Sequence, residues 1–370
     1  MDLDPGMDLR LPEYRREVFL RFWLHQTRYR CAPGGVYYLL PALAAHYAWS
    51  DEQKLWFAFL NGNTQHPLTS LALMSVCPDP LRDSTEEMVR FFESDWARLP
   101  FDTDRRHQKS GFPEAVSRYL AAVRPAGAQL PLWRAAARRG WPGVWAHAQS
   151  LYGFGRLSAF SYAEYLNILG FRTECEDLML GDHVGSSSHR AGLAIVGGLE
   201  PREAMAAAKR PDVLHTGDMR ALARDLLSEA QGRTYGDWTG DLGFFTLESA
   251  LCTYKSWHKP NRRYPGVYND MLYNRIKRFE TDLPGFTDQW GQSVAALVWG
   301  FRRDALPPWL RLEDVPYDPG LSPVKQNHYL LTGQTVVLGM EDPQLRSSYD
   351  DAVAAGEFGV RADLRRVVLR

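Results

Sequence analysis

Apolar residues recur at spacings of three and four along most of the chain, the signature of helices that bury one face. Glu17 to Leu24 is the first such run. Ser50-Asp51-Glu52-Gln53 is a capping box that opens a helix through Lys54 to Leu60. Asp83-Ser84-Thr85-Glu86 reads as a second box ahead of Met88 to Phe92. The same period predicts helices over 113–123, 142–151, 157–169, 218–230, 246–257, 267–280 and 289–301. Alternation with period two is scarce. Gln334 to Leu338 is the one persuasive strand, which would make a small β-hairpin near the C-terminus. The expected fold class is all-α, with two helical lobes and an extended tail. Polar breaks fall at Pro100 to Gly111 and Arg124 to Gly127, and Arg302 to Pro323 reads as a surface connection. They divide the chain into an N-terminal helical lobe (1–125) and a hairpin lobe (126–235). Basic-aromatic helices packing on both (236–300) and a C-terminal extension (301–370) complete the division.

Composition narrows the class. The 370 residues carry 43 Lys+Arg against 44 Asp+Glu, and 45% hydrophobic content excludes a disordered chain. The longest apolar stretch, Val36 to Trp49, is broken by Pro41 and His46, well short of the ~20 residues a membrane span needs. The acidic first residues lack the apolar core of a signal peptide. Cys31, Cys77, Cys175 and Cys252 form no CxxC pair, which argues against zinc ribbons and disulfides and for a reducing compartment. The expectation is a soluble, cytoplasmic protein with no membrane partner. Only seven of the basic residues are Lys, and aromatics reach 12%. Arg forks match phosphate and stack on rings, as a nucleic-acid surface requires, although a GC-rich genome gives the same bias.

The sharpest motif is Leu151-Tyr152-Gly153-Phe154-Gly155-Arg156, a G-h-G turn between two predicted helices. Glycine permits positive φ and keeps a side chain out of the way of an approaching backbone. The N–H groups at the start of the second helix make a natural phosphate cradle. Small Ser158 and Ala159 let the two helices pack closely. The motif resembles the helix-hairpin-helix element of DNA glycosylases, which grips the DNA backbone; a plain αα-hairpin without ligand is the alternative. Ser158 stands where a dinucleotide fingerprint needs glycine, no strand precedes the turn, and there is no GxxxxGK[ST] loop.

Three further polar stretches carry candidate chemistry. Glu176, Asp177 and Asp182 follow the hairpin at the distance where such glycosylases hold their carboxylate. With His183, Ser186 to Ser188, His189 and Arg190 they suggest a pocket wall with a base, donors and an anion clamp, or else a loop capping the next helix. Their spacing matches no familiar zinc motif, so no metal ligands are assigned. Asn61, Asn63, Thr64 and Gln65 lie between two apolar helices and could bond a nucleobase edge; helix caps at Asn61-Gly62 and Thr64 are the plainer reading. Seven cations from Lys255 to Arg278, including Lys259, Arg262 and Arg263, meet only Asp270 and alternate with Tyr264 and other aromatics. Glu248, Cys252 and Lys255 fall on one helix face.

Together the helix ending in Leu60-Asn61-Gly62-Asn63-Thr64-Gln65, the hairpin, and Glu248, Leu251-Cys252, Tyr254-Lys255 and Arg262-Arg263-Tyr264 resemble a known family over roughly residues 15–300. It is the phage α-glutamyl/putrescinyl thymine pyrophosphorylases, or amino acid:DNA transferases. The lack of a P-loop domain separates the chain from the related hydroxymethyluracil DNA kinases. The resemblance implies a DNA-glycosylase-like fold and transfer of an amine, an amino acid or polyamine, onto the 5-methylene carbon of phosphorylated 5-hydroxymethyluracil in double-stranded DNA, displacing (pyro)phosphate. By that resemblance Gly153, Gly155, Arg156 and Lys259 would hold DNA. Asn61, Asn63, Gln65 and Tyr264 would hold the extruded base, and Lys255, Arg262 and Arg263 the leaving phosphate. Asp177 or Asp182, with His183 or Glu248, would take the amine proton. No cofactor is required, though Mg²⁺ could assist the leaving group, and the setting would be the cytoplasm of an infected bacterium. A glycosylase and a non-catalytic DNA-binding module are the other readings.

Overall fold

The computed structural model describes residues 3–30, 35–182, 185–233, 242–258, 270–314 and 323–332. They form an all-α fold without a sheet. The chain opens with α1 (Pro12–Arg28), α2 (Val36–His46), α3 (Asp51–Thr64), α4 (Pro67–Val76) and α5 (Thr85–Ser94). A 3-10 helix at Thr103–Gly111 leads into α6 (Phe112–Val123), followed by α7 (Leu130–Ala137), α8 (Gly140–Ser150) and α9 (Arg156–Ile168). Then come α10 (Ser188–Val196), α11 (Pro201–Ala207), α12 (Thr216–Gln231) and α13 (Phe244–Trp257). The last are α14 (Met271–Asp282), α15 (Val294–Ala305) and α16 (Pro323–Thr332). No helix among the described residues is long and apolar enough to cross a membrane. The strand expected over 334–338 lies outside them.

Two compact units divide the chain, each built from non-contiguous segments. The first draws on Met1–Pro33, Cys175–Asn269 and Pro307–Arg370; the second on Gly34–Glu174 and Asp270–Leu306. In the first, α1 packs on α13 through Phe19 and Phe22 against Tyr254 and Trp257, and Trp23 donates its indole N–H to Thr246 at 3.1 Å. Helices α10 and α13 cross so closely that a Cβ on Gly192 would sit 2.5 Å from the Leu251 carbonyl oxygen. Part of the expected tail is a docked helix: Asn327 of α16 donates to the carbonyls of Pro5 and Met7.

In the second unit α3 is the central helix, packed against α4, α7 and α9. Its capping box forms as read: Ser50 Oγ accepts from the Gln53 N–H, and Gln53 Oε1 accepts from the Ser50 N–H. The second expected box moves by one residue. Ser84 is the cap of α5, accepting from the Glu87 N–H, because Asp83 already accepts from the Asp79 N–H in the preceding turn. Arg302, read as the start of a surface connection, lies in α15 with no exposure and forms a buried ion pair with Asp270. The helix predicted over 289–301 begins only at Val294, because Asp288 caps a turn by accepting from the N–H groups of Trp290 and Gln292.

His25 and His66 are among the histidines buried within these packed helices. His25 Nε2 donates to the Leu331 carbonyl, and His66 caps α4. Burial pushes their imidazoles down to about 4 and about 3 respectively. The unfolded chain takes up these protons near about pH 6.5, well above the folded values. Folding stability is therefore complete above about pH 6.5 and falls as pH drops towards about 4. Urea unfolding across that range should show the decline. His25→Gln, which keeps a donor for Leu331, should flatten it; an unchanged slope would mean that His25 does not contribute.

Candidate functional site

The polar run after Leu60 is the last turn of α3, not a loop. The helix continues through Asn61, Gly62 and Asn63 to Thr64 and ends at Gln65, whose φ of 49° is left-handed. Helical geometry persists because the run is buried and bonded internally. Asn63 Nδ2 donates to the Phe59 carbonyl, and Ser70 Oγ links Asn61 Oδ1, the His66 carbonyl and Thr64 Oγ1. The caps expected at Asn61-Gly62 and Thr64 therefore sit at Gln65 and His66 instead. His66 Nδ1 accepts from the Thr69 N–H, which leaves the hydrogen of the neutral ring on Nε2. Asn61 Nδ2 and His66 Nε2 are both buried without a hydrogen-bond partner among the described residues.

The G-h-G turn joins α8 to α9 in the same unit. Gly153 has φ +74°, a conformation that only glycine adopts without strain, whereas Gly155 is extended with φ −81°. Gly155 is exposed, and a Cβ built on it would meet nothing within 4 Å. Between them Phe154 turns inward onto α3, and a Cβ on Gly62 would come within 2.7 Å of its ring. Arg156, expected at the DNA surface, is only 1% exposed, its guanidinium over the Phe160 ring.

Arg105, from the segment read as a polar boundary, ties the two motifs together. It donates Nε to the Asn63 carbonyl, Nη2 to Asn63 Oδ1 and Nη1 to both the Gly153 carbonyl and Gln108 Oε1, all within 2.6–3.0 Å. Its guanidinium also lies over Phe154. Burial pushes its pKa down to about 10, so it stays charged at neutral pH. The sequence offered one sign of it, an arginine amid otherwise unassigned polar residues.

The first unit holds the second constellation. On α13, Cys252 Sγ lies 3.5 Å from Glu248 Oε1, and Lys255 donates to Ser188 at the start of α10 at 2.9 Å. This confirms the shared face of Glu248, Cys252 and Lys255 and adds Ser188 to it. Asp177 Oδ2 instead accepts two bonds from Arg220 of α12, at 2.8 and 3.0 Å. Asp182 is half-buried on the same segment. Arg190, expected as an anion clamp, is instead fully buried and donates to the carbonyls of Leu180, Ala208 and Leu214, which places its guanidinium inside the fold, away from an outside anion. His189 is buried beside it. His183, Lys259, Arg262, Arg263 and Tyr264 lie outside the described residues. Among the described residues no group of His, Cys, Asp or Glu is arranged to hold a metal.

A family model described as amino acid:DNA transferase matches residues 39–263, more than half of the chain. The chain belongs to this family. A serinyltransferase of Salmonella phage ViI is 26% identical over 302 residues, covering 76% of this chain and 71% of the phage protein. No solved structure matches. The family member described here is thus a transferase acting on DNA that modifies bases by amino acid transfer. That takes the place of the glycosylase and binding-only readings.

The transferase should be sensitive to loss of the Arg105 fork. Arg105→Ala leaves the Asn63 and Gly153 acceptors without their charged donor and should cost about 1.5–3 kcal/mol. Arg105→Lys should recover only part of this, because one ammonium cannot span the same acceptors. Hydrogen exchange is the direct measurement: amides of 151–156 should exchange faster in both variants. Unchanged protection there would mean that Arg105 does not hold the hairpin.

Proposed function

We propose that this transferase attaches an α-amino acid to the 5-methylene carbon of phosphorylated 5-hydroxymethyluracil in double-stranded DNA. The amine nitrogen bonds to that carbon as the carbon–oxygen bond breaks. The bonding electron pair leaves with the phosphate or pyrophosphate, and the surplus amine proton passes to a carboxylate. An amino acid is preferred to a polyamine because the family description and the name of the phage ViI relative both specify one.

The observation that carries this reading is the pair of buried donors, Asn61 Nδ2 and His66 Nε2, beside a helix end tied to the hairpin. A buried donor without an acceptor costs about 1–3 kcal/mol. A uracil turned out of the stack brings two carbonyl acceptors, and pairing them here would recover that cost at the moment of recognition. Asn61 and Gln65 read the base edge; Asn63, engaged at both ends, positions Arg105 instead. Gly155 and the N–H groups opening α9 hold a backbone phosphate. Lys255, with Arg262 and Arg263, steadies the departing phosphate. Glu248 and Asp182 are the preferred bases, since Asp177 already accepts two bonds from Arg220 on Oδ2.

Two measurements test the proposal. Mass spectrometry of nucleosides from phosphomethyluracil DNA incubated with mixed amino acids and putrescine should find an amino acid joined through its nitrogen to the 5-methylene of uracil, with free (pyro)phosphate. Abasic sites, or putrescine as the preferred amine, would overturn it. Lys255→Ala should slow that product by about 10²-fold or more at saturating DNA.

Gly155→Asp separates folding from DNA binding. Asp is a better helix N-cap than glycine by a few tenths of a kcal/mol. Its charge, however, stands where the phosphate would lie. The variant should melt at or slightly above the wild-type temperature and bind duplex at least tenfold more weakly. Wild-type affinity would remove the hairpin from the DNA contact.

A further inference from the structure

Three elements converge on the hairpin turn. Arg118 of α6 holds its guanidinium 4.3 Å from the centre of the Tyr152 ring. Tyr152 is one of the few large apolar residues left open, at 41% exposure, and it immediately precedes Gly153. The 3-10 helix at Thr103–Gly111 meets the same turn. Arg105 bonds the Gly153 carbonyl, a Cβ on Gly153 would lie 2.9 Å from Gln108 Oε1, and one on Gly111 would lie 4.0 Å from the Tyr152 ring. Arg106 and His107 of that helix are exposed. Arg105 is buried and bonds the turn, while Arg106, next in the chain, is exposed.

We propose that the DNA-binding surface of the second unit extends beyond the hairpin onto the Tyr152–Arg118 pair and Arg106, which contact backbone phosphates flanking the one held at Gly155. The proposal rests on the hairpin reading above and enlarges it. A phosphate is the fitting partner for chemical reasons. Stacking on Tyr152 orients the Arg118 guanidinium and leaves its N–H edge available for a planar, bidentate anion contact. Glu114, 2.6 Å from Arg118 Nε, is itself half exposed, and such a surface pair is worth little, so a phosphate can displace it. Phosphate contacts carry no base information, which suits an enzyme that selects its target by the chemistry of the base.

The salt dependence of binding to an unmodified duplex, with no amine present, is the test. Each phosphate contact contributes about 0.9 to the slope of log K against log salt. Arg106→Ala and Arg118→Ala should each weaken binding severalfold at low salt and reduce the slope by about 0.9, and the double variant by about twice that. Tyr152→Ala should weaken binding and Tyr152→Phe should not. Arg82→Ala, at a side chain 86% exposed outside these elements, should leave the slope unchanged. The proposal is overturned if the double variant keeps the wild-type slope, or if Arg82→Ala lowers it equally. Should Gly155→Asp lose binding while the double variant does not, the hairpin contact stands and its extension fails.

Discussion

One buried guanidinium ties together the two polar motifs of the second unit. Arg105 donates to the end of α3 and to the hairpin turn, two stretches separated by ninety residues of chain. Neither partner is satisfied without it: Gly153 presents its carbonyl only because a positive φ turns the peptide towards Arg105, and Asn63 uses both its main-chain and side-chain oxygens on the same cation. The fork geometry makes the contact specific, since several donors in one plane accept only one arrangement of acceptors. Phe154 adds the apolar half of the same joint, seated where Gly62 leaves room.

The same device recurs elsewhere and changes what the arginine content means. Arg15 donates to the carbonyls of Arg10, Ile195 and Leu199, Arg190 to those of Leu180, Ala208 and Leu214, and Arg302 pairs with Asp270. All three are fully buried. Arg15 and Arg190 bond helix-end or loop carbonyls from inside the core, and Arg302 pairs with a buried carboxylate. A composition rich in Arg and poor in Lys suits a nucleic-acid surface, yet part of it serves as internal fastening. A lysine, with one compact ammonium, could not replace these residues at the same number of acceptors.

Much of the fold was legible in the residues, and the limits were physical. Helices with one apolar face, such as α6 and α12, were readable within two residues because burial and period coincide. The end of α3 was misread as a loop, since Asn, Gly and Thr favour caps when solvent competes for their bonds; here their partners come from Ser70 on the next helix and from Arg105, distant in sequence. The hairpin was recognisable because its glycines stand close together in the chain and one of them, Gly153, meets a local backbone demand. Arg105 was not, because nothing near it in sequence announces acceptors at Asn63 and Gly153. Likewise the spacing of Glu248, Cys252 and Lys255 revealed their common face, whereas Ser188 and Arg220 join that unit's polar groups only through folding.

The two glycines of the turn answer different demands, and the difference bears on function. Gly153 is required by the fold: its backbone angle excludes other residues at low cost, and its neighbours leave little space for a side chain. Gly155 is not. Its angles suit any residue, the space around it is open, and it occupies the N-cap of α9, where Ser, Asp or Asn would hold the first N–H groups better. Other helices of the same unit, α3, α5 and α15, do carry such a serine. A glycine at this cap leaves the first amides of α9 facing outward with no side chain across them. Folding alone gives no reason for that choice. The phosphate proposed for the hairpin would supply one, since an uncovered helix start would let it reach those amides directly.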